Sequence, residues 1–143
     1  MYLIDTNVIS EIRKKDKAHP GVRQFFASVD VDEVPIYLSV VTIGELCRGV
    51  EQLRYRGDAA QAQLLEAWLQ RLLTEYNDCI LAFEQEAALL WGRLRGLHPE
   101  HALDKQIAAT ALIHNLTVVT RNQNDFIATG VRILNPFARL LPN

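Results

Sequence analysis

Two rhythms of apolar and polar residues alternate along this chain. Short, mostly apolar runs at 2–4, 35–40, 79–83, 117–120 and 131–134 have the length of buried strands. Between them apolar residues recur every three or four positions, the period of a helix lying on a core. Asp5-Thr6-Asn7 offers capping side chains to a helix through Val8, Ile9 and Ile12. Pro20 is placed to open a second helix, with Val22, Phe25, Phe26 and Val29 as its apolar face. Ser39 or Thr42 can cap a third over 41–56, which Gly57-Asp58 ends. The next helix carries the stripe Leu64, Leu65, Trp68, Leu69, Leu72 and Leu73. Pro99 separates helices at 84–97 and 103–115, and 121–124 reads as a polar loop.

Strands separated by helices predict an α/β fold with a mainly parallel sheet flanked by helices on both faces. No repeat, low-complexity segment or linker divides the chain, so 1–143 is expected to be a single domain.

Composition narrows the functional classes. With 49% hydrophobic and 22% charged residues, the chain can bury a core and still face water. The opening MYLIDTNVIS reaches an acid after one short apolar run and lacks the basic leader of a signal peptide. No apolar stretch approaches a bilayer span, so a cytoplasmic location without membrane contact is expected. Cys47 and Cys79 form no Cys-x-x-Cys pair and are expected to be buried, reduced thiols.

Four acids are placed unusually. Asp5, Glu45, Asp104 and Asp125 each stand where a strand ends or a helix begins. In an open parallel sheet, strand carboxyl ends and helix starts share the edge where ligands bind. Carboxylates crowded there repel one another unless a divalent cation compensates them, so the pattern suggests a metal site. Each acid also has a plainer role open to it. Asp5 and Asp104 can serve helix starts, Glu45 can face solvent, and Asp125 can close an Asx turn.

The segments YLIDTNVIS, LSVVTIGELCRGVE and LDKQIAATALIHNLTVVTRNQNDF, in this order and spacing, resemble PIN-domain ribonucleases. Within that family the chain is most similar to VapC- and FitB-like toxins of type II toxin–antitoxin pairs. The resemblance covers nearly the whole chain. It implies a PIN-like fold and an acidic site of Asp5, Glu45, Asp104 and Asp125, supported by Thr6, Asn7, Thr120 and Asn122. It also implies a cognate antitoxin, a homodimer and RNA as substrate.

On this basis Asp5 and Asp104 are expected to be the main metal ligands, with Glu45 and Asp125 completing the site. An all-carboxylate set of hard oxygens favours Mg²⁺ or Mn²⁺ over zinc. The expected activity is metal-dependent endoribonucleolytic hydrolysis. Two other functions stay open: a phospho-aspartate phosphatase or receiver-like domain using Asp5, and a non-catalytic module whose acidic cleft recruits a basic partner. Against the first, no second acid stands two residues after Asp5, where the chain has Asn7.

The net charge of −2 does not exclude an RNA partner. Setting the four acids aside leaves 13 acidic against 15 basic residues, enough for a basic rim. Arg48, Gln52 and Arg56 follow Glu45 along one helix face and either hold substrate phosphates or form a solvated surface. Arg121 lies in the loop before Asp125 and is a second candidate for substrate binding. His98-x-x-His101-x-x-Asp104 superficially resembles a transition-metal array. Pro99 disfavours helical geometry at His98 and the zincin spacing is missing, so zinc is not expected. Trp68 and Trp91 are expected to pack, and the breadth of the Trp68 stripe leaves room for a second copy or a partner helix.

Overall fold

The computed structural model describes residues 1–138. Its sheet has five parallel strands in the order β3-β2-β1-β4-β5: β1 (Tyr2–Ile4), β2 (Ile36–Ser39), β3 (Ile80–Leu81), β4 (Thr117–Val119) and β5 (Ile133–Leu134). In β1, Leu3 pairs with Val118 and Ile4 with Val119. Because side chains alternate across a strand, these neighbours point to opposite cores. Ile4, Val119 and Leu38 join one cluster with Val8, Ile9, Phe25, Leu46 and Leu72. Leu3 and Val118 join the other with Ile107, Ala108, Ala111 and Phe126.

The crossovers supply both layers. On the first face lie α1 (Thr6–Ile12), α2 (Pro20–Val31), α3 (Val40–Tyr55) and α4 (Ala59–Glu75). Ser39, not Thr42, caps α3 by accepting from the Val41 amide at 3.0 Å. Gly57, at φ +82, makes the turn into α4, a left-handed conformation that costs glycine little. Pro20 opens α2, whose buried Gly21 lies so close to Pro136 that a Cβ would strike the Pro136 carbonyl oxygen.

On the second face, α6 (Ala102–Ile113) packs against the sheet and α5 (Gln85–Arg95) packs on α6. Ala108, Ala109 and Ala111 of α6 are fully buried. Their small side chains allow close approach, which brings the first turn of α6 to the tips of the central strands.

Several expectations need correction. The polar loop at 121–124 gives way to a one-turn helix, α7 (Gln123–Phe126), pinned by fully buried Phe126. Asp125 therefore sits inside a helical turn. Cys47 is exposed and Cys79 half-buried, because the buried face of α3 runs through Thr42, Leu46 and Val50. Leu64 is 64% exposed, one position off the α4 face formed by Ala62, Leu69 and Leu72. The edge strands β3 and β5 are each only two residues long, having a partner on one side alone. Among the described residues no helix is long and apolar enough to cross a membrane.

Candidate functional site

Strand order reverses between β1 and β4, which lead to connections on opposite faces of the sheet. A crevice opens outside the carboxyl ends of two such strands. Asp5 directly follows β1 and Thr120 directly follows β4. Asp5 is 3% exposed and held from three sides. Its Oδ1 accepts from the Thr6 amide at 2.8 Å, while its Oδ2 accepts from Thr120 Oγ1 at 2.8 Å and from Asn7 Nδ2 at 3.1 Å. The carboxylate that caps α1 thus also lines the crevice.

The other polar residues extend this frame. Thr6 Oγ1 donates to Glu45 Oε1 at 2.9 Å, tying the second turn of α3 to the start of α1. Asn7 Oδ1 accepts from the Arg121 amide at 3.0 Å, and Thr120 Oγ1 accepts from the Asn122 amide at 3.0 Å. Three segments distant in sequence, 5–7, 45 and 120–122, are locked together by side chains that the sequence pattern and resemblance single out.

Asp104, in the first turn of α6, completes the acidic group. Its carboxyl is pushed up to about 7, first by desolvation, then by the charges of Asp5, Asp125 and Glu45 and by a hydrogen bond with Asp125. Asp5 is also raised, mainly by burial, against the opposing pull of its Thr120, Thr6 and Asn7 hydrogen bonds. The four acids thus share one electrostatic environment, in which a cation would relieve repulsion that protons otherwise relieve.

His101 joins this group without His98, so the two histidines do not act as a pair. Donor atoms of His101, Asp104 and Asp125 lie within 4.8 Å of one another. His98 turns away, with Nδ1 3.7 Å from Glu100 Oε1. The useful signal was the position of His101 immediately before the helix of Asp104, not the His98–His101 spacing. Oxygens from Asp104 and Asp125 beside buried Asp5 and half-buried Glu45 suit a divalent cation in donor chemistry.

The two arginines are placed differently. Arg48 is exposed one turn beyond Glu45 and lines an open cavity of about 700 Å³ with Gln52, Tyr55 and Arg56. The Arg121 guanidinium lies 4.8 Å from the centre of the Phe137 ring. Trp68 and Trp91 are half-buried packing residues, and Trp91 Nε1 donates to the Ala102 carbonyl at 2.8 Å.

Known proteins resemble this chain along nearly its whole length. Residues 2–131 match the PIN domain family model. The chain is 34% identical over 142 residues to Toxin FitB of Neisseria gonorrhoeae, covering 96% of this chain and 99% of that protein. It is 31% identical over 146 residues to VapC ribonuclease Y4jK of Sinorhizobium fredii, covering 96% and 98%. The crystal structure of FitAcB from Neisseria gonorrhoeae superposes with a TM-score of 0.82 at 32% identity, covering 97% of this chain and all of that one.

Proposed function

The chain belongs to the PIN domain family, and from that premise we propose that it is a metal-dependent endoribonuclease and the toxin of a toxin–antitoxin pair. Asp5, Glu45, Asp104 and Asp125 are its cation-holding and catalytic residues in a single domain spanning 1–143. The observation that carries the proposal is the convergence of Asp5, Glu45, Asp104 and Asp125 on one crevice, tied by Thr6, Asn7 and Thr120 and flanked by donor atoms of His101, Asp104 and Asp125 within 4.8 Å, with the Asp104 carboxyl raised to about 7 by desolvation and by its acidic neighbours. An array that raises its own pKa in this way is costly as structure and useful as a cation site. The names of FitB and Y4jK, a toxin and a ribonuclease, support the same direction.

Mg²⁺ or Mn²⁺, when bound, supplies charge compensation at the attacked phosphate and acidifies a water. The protein's own work is positioning. Thr120, Asn7 and the Thr6 amide fix Asp5, and Thr6 Oγ1 aims Glu45. Arg48, exposed one turn beyond Glu45, and Arg121, in the turn that follows β4, are the cations that would meet RNA phosphates, sequence-independently. A nuclease acting on cytoplasmic RNA needs restraint, which a cognate antitoxin supplies, and the active assembly is a homodimer. The phospho-aspartate alternative fares worse, because Asp5 is 3% exposed and both its oxygens already accept hydrogen bonds.

The test is cleavage of labelled RNA by purified wild type and Asp5→Asn, with 5′-end mapping of the products. Asparagine keeps the shape and one acceptor but removes the charge, so it should fold and lose cleavage. Metal-independent cleavage, or full cleavage by the folded variant, would reject the proposed mechanism.

A further inference from the structure

We propose that His101 is a metal ligand, completing with Asp104 and Asp125 a mixed nitrogen–oxygen subsite that selects Mn²⁺ over Mg²⁺. The inference rests on the acidic site being a cation centre and adds a preference that four carboxylates alone do not give.

The geometry comes first. His101 Nε2 stands 3.5 Å from Asp125 Oδ1, too far for a good hydrogen bond. Adjacent ligands about 2.1 Å from a shared octahedral ion stand about 3 Å apart, and opposite ligands about 4 Å. The 4.8 Å span of the three donor atoms needs only a small contraction to reach that range. The His101 side chain is 47% exposed, so the open side of the subsite leaves room for water and substrate oxygens.

The loop bearing His101 is fastened at several points. Lys105 on α6 is 2% exposed, and its ammonium donates to the carbonyls of His98 and Glu100. Arg95 Nε donates to the Pro99 carbonyl at 3.2 Å, and Trp91 Nε1 to that of Ala102 at 2.8 Å. His101 itself is held at φ 54 and ψ 49, a left-handed conformation uncommon outside glycine. Burying a lysine to hold two backbone carbonyls is a large commitment for a surface turn, and the turn it holds carries the imidazole beside Asp125.

The chemical consequence follows from ligand hardness. Mg²⁺ takes oxygen donors and gives up water reluctantly, whereas imidazole suits transition ions. A nitrogen in the set therefore favours Mn²⁺ while leaving Mg²⁺ to the carboxylates.

Metal-stripped wild type and His101→Gln are titrated with Mn²⁺ and Mg²⁺ by calorimetry at pH 8, and the Mn²⁺ complexes are studied by electron spin-echo modulation. His101→Gln should weaken Mn²⁺ about tenfold and leave Mg²⁺ within about twofold. The echo signal of a directly bonded imidazole nitrogen should be present in wild type and absent in the variant. Equal loss for both ions, or no nitrogen signal in Mn²⁺-loaded wild type, overturns the assignment of His101 while leaving a carboxylate cation site standing. Failure of wild type to bind either ion overturns both. Asp104→Asn, losing both ions, marks the site being measured.

Discussion

Asp104→Asn should make the metal-free protein more stable at neutral pH, and the gain should be set by pH. The folded carboxyl sits at about 7 against 3.8 for the free group. Between those values the folded chain holds a proton that the unfolded chain has released. Its contribution to stability is thus largest below about pH 4 and declines as pH rises through 7. Taken at full weight, the shift corresponds to about 4 kcal/mol. Asp104 is only half-buried, so solvent screening reduces this to about 2 kcal/mol. Asparagine cannot titrate, and its amide can donate to Asp125 as the protonated acid does. Melting curves of both proteins in EDTA from pH 4 to 8 should start together and diverge to about 6 °C in favour of the variant. Comparing the two proteins cancels titrations they share, such as the lowered Glu11 and Glu100. A gap independent of pH, or a variant several degrees less stable at pH 8, would refute the argument from desolvation and repulsion and make Asp104 a helix-start residue.

Excess Mn²⁺ should raise the wild-type melting temperature, with about 2.7 kcal/mol of stabilisation at a hundredfold excess over the dissociation constant, and Asp104→Asn should lose most of that rise. Lys105→Met should cost about 2 kcal/mol and speed amide hydrogen exchange at 98–101, as read by mass spectrometry. Gly21→Ala should destabilise by more than about 1 kcal/mol because of the Pro136 carbonyl, whereas Gly92→Ala, with no atom near its would-be Cβ, should gain about 0.5–1 kcal/mol in chemical denaturation. Expression of the chain alone should arrest growth in culture, and co-expression of its antitoxin should restore it.

Much of this was legible in the sequence because it depends on local order. Apolar runs located all five strands, and Asp5, Ser39 and Pro20 marked helix starts through chemistry that acts within a few residues. Strand order was hidden, since it is set by pairings such as Leu3 with Val118. Cys47 and Leu64 were misplaced because a helix face is about three residues wide, and a single-position error turns a side chain from core to water. His101 was judged by its distance to His98, although its neighbour in space is Asp125. Lys105 went unmarked because a buried amine is recognisable only once its carbonyl partners are in place.

The hydrogen bonds that frame the acids join residues 39, 113 and 115 positions apart. A ribosome-bound chain that has not yet released residue 120 cannot close the Asp5–Thr120 bond, whatever helices it has already formed. Synthesis itself therefore imposes a delay: the crevice is assembled among the last events of folding, and a truncated product carries Asp5 without its Thr120 donor and Glu45 without Asp104 and Asp125 across the crevice. The same dependence makes the site an early casualty of unfolding, because separating β1 from β4 dismantles it while the α3–α4 pair can persist.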